Sequence, residues 1–264
     1  MKKEKISIKT RHGNMKVLVL NRNENKDKLV PGLLWIHGGG YATGNTWLIN
    51  FTMGKALAKK FGAVVISPDY RKSKEAPYPA AFEDCCDALS YMYKNAKELG
   101  IDPNRIVVGG ESAGGGLAAA ICLYERDEGH IPITFQIPLY PMLDSNDTES
   151  SKDNHGHIWN TKRNHICWKL YLKELYNTDK VPKYASPSRE KDYRNLPPCY
   201  TYVEDGEPFY CETLKYVDDL KKANVKAKVD VFKGKTHSFD AFFWTKNAKK
   251  AKENLFKEVK PYLE

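Results

Sequence analysis

The sequence predicts an α/β fold in which a mostly parallel, twisted sheet carries helices on both faces. Two observations point to it. Strand-like and helix-like segments alternate along most of the chain, and Ser112 stands between an apolar strand pattern and a helical one. With 264 residues, of which 41% are hydrophobic, the chain can bury one large core. We therefore expect a single domain over residues 1–264.

The first elements are predicted to form an antiparallel edge of the sheet. Residues 5–10 and 15–20 alternate between apolar and polar side chains, and His12, Gly13 and Asn14 between them are typical of a turn. The apolar run over 33–36 then predicts the first buried strand of the parallel part. The remaining predicted elements are a helix over 51–60, a strand over 63–67, a helix over 80–99, a strand over 106–109, a helix over 115–125, strands over 133–139 and 199–203, a helix over 212–223, a strand over 227–232 and a C-terminal helix.

Residues 144–184 interrupt this alternation. They begin with a polar stretch and continue with a helical pattern that includes Trp159, Ile166, Leu170 and Tyr171. Ligands of open α/β sheets bind beyond the carboxyl ends of the strands. We therefore interpret the segment as a small cap-like insertion over a binding site.

The run Gly-Glu-Ser-Ala-Gly over 110–114 predicts a nucleophile elbow. It joins a strand pattern to a helix pattern, which is the context in which a serine is held exposed on a tight turn. A serine hydroxyl needs a base to take its proton, so the pattern indicates acyl transfer with Ser112 as the nucleophile. The alternative is a glycine-rich turn without a catalytic role.

A second glycine-rich loop, His37 to Gly40, follows the strand over 33–36. In a hydrolase with an elbow, such a loop supplies backbone N–H groups to an oxyanion, together with the N–H of the residue after the nucleophile, here Ala113. The alternative is a phosphate-binding loop. Neither the G-K-[ST] ending nor the G-x-G-x-x-G spacing of such loops is present, so nucleotide binding is not expected.

The order serine, acid, histidine predicts where the other two catalytic groups lie. The acid should follow the strand near residue 200 and the base should follow the strand near residue 230. His237 fits the second position and is the only histidine beyond the acid loop. Three carboxylates, Glu204, Asp205 and Glu207, compete for the first.

Charge and hydropathy argue against several other classes of protein. The net charge of +9 comes from 42 basic and 33 acidic residues that are scattered, and the densest run of lysines forms the polar side of the C-terminal helical pattern. We expect no nucleic-acid partner. No apolar run approaches a membrane span, and the first residues lack a signal-peptide core, so we expect a cytoplasmic protein with no membrane partner.

The cysteines and histidines do not predict a metal site. The six cysteines lack zinc-site spacing and are expected to be free thiols in a reducing compartment. His155, His157 and His165 form a cluster in sequence that would suit a metal, but the residues between them carry no partner carboxylate pattern. We expect flexible cap histidines and no metal.

Several longer runs resemble the hormone-sensitive-lipase-like esterases of the α/β-hydrolase superfamily, over roughly residues 15–262. The matching runs are HGGGYATG from residue 37, SPDYR from 67, YPAAFED from 78, GIDPNRIVVGGESAGG from 100, YASP from 184 and LPP from 196. The resemblance implies the α/β-hydrolase fold and a serine carboxylesterase that uses no cofactor.

The resemblance also implies roles for individual residues. In that family the acid precedes a proline and a hydrophobic residue, which fits Glu207 before Pro208 and Phe209 and leaves Asp205 and Glu204 as neighbours. The family's oxyanion donors correspond to Gly39, Gly40 and Ala113. Two residues depart from the pattern: a glutamate stands where the family's acid is usually aspartate, and Ser238 follows the histidine where glycine is usual.

The pocket is expected to be small. Family members commonly carry a helical lid ahead of the first strands, whereas only 36 residues precede His37 here and most of them are strand-like. This short N-terminal segment leaves residues 144–184 to close the pocket. We expect a shallow acyl site for acetyl through about butyryl groups. The aromatic residues expected to contribute to its lining are Tyr41, Trp159, Trp168, Tyr171 and Phe209.

The sequence therefore predicts a serine hydrolase that cleaves short-chain carboxylic esters of small molecules through an acyl-enzyme. Two rivals remain open. The same triad would serve an arylformamidase or another amidase, and a hydrolase fold can also persist as a non-catalytic ligand-binding protein. The strand over 227–232 offers an edge at which a homodimer could pair.

Overall fold

The computed structural model describes residues 1–25, 27–129 and 131–264. Within them, eight strands form one sheet in the order β1-β2-β4-β3-β5-β6-β7-β8. The strands are β1 (Lys3–Thr10), β2 (Gly13–Leu20), β3 (Val30–Ile36), β4 (Val64–Pro68), β5 (Ile101–Glu111), β6 (Phe135–Leu139), β7 (Cys199–Glu204) and β8 (Ala227–Phe232). β2 pairs antiparallel with β1 and β4, and every other pairing is parallel. The predicted mostly parallel sheet with an antiparallel edge is confirmed.

Helices cover both faces of this sheet. They are α1 (Met53–Phe61), α2 (Ala80–Lys94), α3 (Ala96–Leu99), α4 (Ala113–Glu128), α5 (Thr161–Leu172), α6 (Tyr210–Lys222) and α7 (Lys246–Leu263), with short 3-10 helices over Thr46–Phe51, Lys173–Leu175, Pro187–Arg189 and Phe239–Ala241. None of the helices in the described part of the chain is long and apolar enough to cross a membrane.

The central strand β3 shows why its sequence is apolar throughout. Leu33 and Trp35 point to the face that α1 and α7 cover, whereas Leu34 and Ile36 point to the face that α2 and α4 cover. All four are completely buried, since a parallel strand inside such a sheet has no solvent-facing side.

Some boundaries differ from the predicted ones. The predicted helix over 80–99 is two helices, because the chain turns at Asn95, whose side chain donates to the carbonyl of Tyr91 at 2.8 Å. The predicted helix from residue 51 begins at Met53 and is preceded by the 3-10 helix Thr46–Phe51, which starts at the side-chain cap of Asn45. Helix α4 starts at Ala113, directly after the serine, two residues earlier than predicted.

The segment over 144–184 contains one regular helix, α5, as its helical pattern predicted. The Asn160 side chain caps this helix by accepting from the N–H of Arg163 at 3.0 Å. Its last turn contacts the body of the molecule, where the carbonyl of Tyr171 accepts from the N–H of Tyr78 at 2.8 Å. The segment thus contacts the sheet domain next to the start of α2.

Candidate active site

Ser112 lies on a tight turn between β5 and α4. Its backbone has φ 56° and ψ −121°, a left-handed conformation that a non-glycine residue adopts only at a cost. The N–H of Ser112 donates to the carbonyl of Leu139 at 3.0 Å, which ties the turn to the end of β6. A side chain at Gly114 would overlap the carbonyl oxygen of Ile36, so glycine there lets strand and helix cross closely.

The structure brings Ser112, His237 and Glu207 together. The Nε2 atom of His237 lies 2.9 Å from the Ser112 hydroxyl, and its Nδ1 atom lies 2.6 Å from Oε2 of Glu207. All three are buried, with 5% of Ser112, 4% of His237 and 1% of Glu207 exposed. A nucleophile, a base and a carboxylate that orients the base therefore form one continuous hydrogen-bonded chain.

The other two candidate acids, Glu204 and Asp205, make different contacts in the same loop. Glu204 accepts from the N–H of Thr236 at 2.8 Å and from the Asn247 amide at 2.8 Å. Asp205 points to the surface, where it pairs with Lys233 at 2.6 Å. Both therefore brace the segment that precedes His237 without touching its ring.

Burial dominates the electrostatics of Glu207. It raises the pKa of the Glu207 carboxyl, and the nearby His237 ring opposes the shift. The ring of Phe209 packs edge-on against His237 at 5.1 Å between centroids, and Tyr140 does the same from another side at 5.1 Å. These contacts fix the imidazole plane between the serine and the carboxylate.

The glycine-rich loop over 37–40 lies directly against the elbow. A Cβ atom at Gly38 would sit 2.9 Å from the carbonyl oxygen of Glu111 and 3.3 Å from Cβ of Ser112. Gly39 has φ 121° and its carbonyl accepts from the N–H of Thr43 at 3.0 Å, so the loop closes into a turn that only glycine adopts without strain. Backbone N–H groups of this loop thus lie beside the serine.

The third glycine and the helix start complete the surroundings of the oxyanion donors. Gly40, with φ 59°, is packed against the side chains of Trp159 and Cys167. Ala113 is the first residue of α4, and the first N–H groups of a helix have no partner within it. The N-terminus of a helix also favours negative charge.

His37 supports the loop from behind as a neutral side chain. Its ring stacks on Tyr70 at 4.3 Å between centroids, and its Nδ1 atom lies 2.7 Å from the carbonyl oxygen of Gly38. Burial, followed by the charge of Lys72, lowers the pKa of His37 to about 4. With Nδ1 as the donor, the ring holds the loop's first turn in place.

A cleft of about 310 Å³ opens above Ser112. Its lining consists of Gly38, Gly39, Leu48, Phe51, Thr52, Glu111, Ser112, Tyr140, Ile158, Trp159, His237, Ser238, Asp240 and Ala241. The segment over 144–184 closes one side of the cleft through Ile158 and Trp159, and the 3-10 helix Thr46–Phe51 closes the other side. That second wall was not predicted, although the apolar run Trp47 to Ile49 beside a capping asparagine was a signal for a short packed turn.

The structure corrects the predicted aromatic lining. Of the five candidates, only Trp159 faces the cleft. Tyr41, Trp168 and Tyr171 form a buried cluster beneath α5, in which the Tyr41 and Tyr171 rings stack at 4.0 Å and Trp168 lies 5.5 Å from Tyr41. The reason is that positions 168 and 171 share the inward face of α5. Phe209 is completely buried and contacts His237 instead.

Two further carboxyl groups border the cleft. Glu111 precedes the serine, and both of its oxygens accept from the Trp35 indole N–H, at 2.9 and 3.0 Å. Asp240 follows the histidine by three residues, and its two oxygens accept from the hydroxyls of Tyr140 and Tyr202, each at 2.7 Å. The sequence did not indicate a role for either carboxyl, because the residues that hydrogen-bond to them are distant in the chain.

The three cap histidines are separated in the structure. His155 pairs with Asp153 at 3.0 Å and His165 pairs with Asp147 at 2.8 Å; His155 is exposed and His165 is partly exposed. Across the described residues no group of three or more histidine, cysteine or acidic side chains is arranged to hold a metal ion.

Comparison with known proteins gives consistent matches. A family model described as alpha/beta hydrolase fold matches residues 33–241. Esterase LipI of Mycobacterium tuberculosis is 32% identical over 201 residues, which cover 75% of this chain and 62% of LipI. The chain thus spans less than two-thirds of that relative. Ethyl acetate hydrolase of Pseudomonas putida is 28% identical over 238 residues, covering 89% of this chain and 74% of the hydrolase.

Solved structures agree with these matches. The chain resembles a bacterial heroin esterase with a TM-score of 0.94 and 32% identity, covering 100% of this chain and 84% of the esterase. The similarity in structure therefore includes the sheet, the elbow and the cap segment together.

Proposed function

This chain belongs to the alpha/beta hydrolase fold family, and on that premise we propose that it is a serine carboxylesterase that hydrolyses small-molecule esters with short acyl chains. The observation that carries the proposal is the hydrogen-bonded chain from Ser112 through His237 to Glu207, with distances of 2.9 and 2.6 Å. Two of the relatives, an esterase and an ethyl acetate hydrolase, support the same reaction class.

In the proposed reaction, His237 takes the proton of Ser112 as the hydroxyl attacks the ester carbonyl. The N–H groups of Gly39, Gly40 and Ala113 stabilise the oxyanion, and one such donor is worth about a hundredfold to a thousandfold in rate. The C–O bond to the alcohol then breaks, and the alcohol leaves with the proton from His237. Water repeats the sequence on the acyl-enzyme and releases the carboxylic acid.

Glu207 orients the base in this scheme. Its carboxylate accepts from Nδ1 of His237, so Nε2 is left free to accept the serine proton. The same contact stabilises the imidazolium that forms during attack. These roles need the carboxylate to be ionised beside the ring, which the hydrogen bond favours against the effect of burial.

The acyl preference of acetyl through about butyryl rests on the walls of the cleft. Trp159 and Cys167 pack against Gly40, so the space behind the oxyanion loop is filled. The cleft volume of about 310 Å³ suits a small ester better than a long acyl chain. The compartment is proposed to be the cytoplasm, supported by six cysteines that are all free thiols. A homodimer through the exposed edge of β8 stays a prediction that light scattering would test.

The test is hydrolysis of p-nitrophenyl acetate, butyrate and octanoate, together with an aryl formamide, by the wild type and Ser112→Ala. We expect turnover of the acetate and butyrate, slower octanoate hydrolysis, and a loss of at least about a thousandfold in the variant. An organophosphate should add one covalent mass to the wild type, on the peptide containing Ser112, and none to the variant.

Other results would select the rivals. Cleavage of the formamide alone would replace the esterase by an arylformamidase or amidase. Absence of turnover on every substrate, with small-molecule binding retained, would favour the non-catalytic reading.

A further inference from the structure

The cleft above Ser112 is bordered by carboxyl groups that have no cationic partner. Glu111 and Asp240 are both 95% buried, since each is only 5% exposed. Among the ion pairs of the described residues, neither carboxyl is matched with a lysine or arginine, although the chain as a whole carries a net charge of +9. A buried charge without a partner costs free energy, so a cationic group of a bound ligand would stabilise an ionised carboxylate here.

Burial raises the pKa of both carboxyls, and at Asp240 two tyrosine hydroxyls oppose the shift. Asp240 accepts from two hydroxyls, those of Tyr140 and Tyr202, at 2.7 Å each, and donors on both oxygens favour the ionised form. Glu111 accepts from the Trp35 indole N–H, which is shared between its oxygens, and from the first backbone N–H of α1. Burial and the neighbouring Asp240 raise the pKa of Glu111 well above its usual range, which is consistent with a neutral Glu111 beside a charged Asp240.

The rest of the wall carries no positive side chain. Of the residues that line the cleft, none is lysine or arginine, and His237 is the one base. Three aromatic rings, Phe51, Tyr140 and Trp159, face the same space. Aromatic faces attract cations, and charges interact more strongly in a water-poor cleft than in bulk water.

The position of Asp240 tells which end of the substrate meets this charge. Asp240 lies on the loop that carries His237, and the base must reach the leaving oxygen to protonate it. The alcohol part of a bound ester therefore lies toward the segment over 237–241, and the acyl part toward the filled space at Gly40.

We propose that the cleft selects esters whose alcohol part carries an ammonium group, with Asp240 as the specificity-determining residue. This inference rests on the proposed esterase function. The reaction itself is unchanged: the acyl C–O bond breaks, water supplies the hydroxyl of the acid, and the amino alcohol leaves protonated on oxygen.

The experiment compares acetylcholine with 3,3-dimethylbutyl acetate, which replaces the ammonium nitrogen by carbon and keeps the shape. We expect the wild-type kcat/KM for acetylcholine to exceed that for the neutral ester by at least about tenfold at neutral pH and low salt. Asp240→Asn should reduce this ratio to within about twofold of one. Glu111→Gln should keep the wild-type ratio, because the raised pKa of that carboxyl favours its neutral form.

The ratio separates charge recognition from structural damage. A purely structural role of Asp240 would lower both rate constants together and leave the ratio unchanged, and that result overturns the inference. A wild-type ratio near one with good hydrolysis of the neutral ester overturns it as well, while the esterase function stands. If the wild type hydrolyses neither ester nor p-nitrophenyl acetate, the proposed function fails and this inference with it. Asp205→Asn, a surface carboxylate in the acid loop, is the control and should keep the ratio.

Discussion

A single side chain determines whether His237 is oriented as a base. Its Nδ1 atom has one partner, Glu207, at 2.6 Å, while the adjacent Asp205 pairs with Lys233 outside the site. The two carboxylates are only two positions apart in the chain. They therefore form a matched pair in which one change removes a contact to the ring and the other does not.

We expect Glu207→Gln to lower kcat for p-nitrophenyl acetate by about 10³ to 10⁴, because the amide stabilises the wrong tautomer and cannot balance the imidazolium. Asp205→Asn should stay within a few-fold of the wild type. Steady-state kinetics of both variants, with circular dichroism as a check on folding, decide the assignment. The reverse pattern would make Asp205 the catalytic acid.

At the scale of helices and strands, the sequence predicted most of the alternating strands and helices. It predicted few of the contacts between segments that are distant in the chain. The strands of the parallel part were predicted because they contain short apolar runs next to helical patterns, as in β3 and over residues 106–108 of β5. Ser112 and His237 were predicted because the order of these elements constrains where catalytic groups lie. Glu207 was singled out among three carboxylates only by the family resemblance. The 3-10 helix Thr46–Phe51 was missed, since a six-residue turn has no periodicity to detect.

The aromatic lining was mispredicted for a related reason. The sequence shows that Trp168 and Tyr171 lie one turn apart on α5, but it does not show which way that helix faces. In the structure this face is buried against Tyr41, and the cleft is lined instead from the start of the cap segment, by Ile158 and Trp159. Orientation of a short helix depends on tertiary contacts that no local pattern records.

Trp159 is the residue of the cap segment that we expect to limit the length of the acyl chain. Its indole fills the space beside Gly40 and lies 6.2 Å from the Phe209 ring. Trp159→Ala should raise kcat/KM for p-nitrophenyl octanoate relative to acetate by about tenfold or more, since each methylene accommodated contributes to binding. Trp47→Ala, an exposed tryptophan on the opposite wall, is the matched control. Equal changes on both esters would mean that Trp159 supports the fold and does not set chain length.

For the whole molecule, the buried His37 links folding to acidity. The folded pKa of about 4 lies below the ordinary value of 6.5, so the neutral ring is favoured by folding. The contribution of His37 to the free energy of unfolding is complete above pH 6.5 and is lost as the pH falls toward 4. In this range the unfolded chain binds a proton at His37 and the folded chain does not. One pKa unit corresponds to about 1.4 kcal/mol.

We therefore expect the wild type to lose about 2 kcal/mol more of its unfolding free energy than His37→Asn between pH 7 and pH 5. Urea unfolding at the two pH values measures this difference, and the comparison cancels the titration of the other buried groups. Parallel losses in both proteins would show that the ring is protonated in the folded state as readily as in the unfolded one.

The unpaired carboxylate at Asp240 also has a consequence for what happens after turnover. The acid released from the acyl-enzyme ionises to an anion inside a cleft whose wall holds the proposed Asp240 charge and no lysine or arginine. Like charges in such a site repel, so the acid departs readily and returns poorly. Accumulating acetate should therefore be a weak inhibitor. In this proposal Asp240 repels the carboxylate product and attracts the ammonium group of the alcohol.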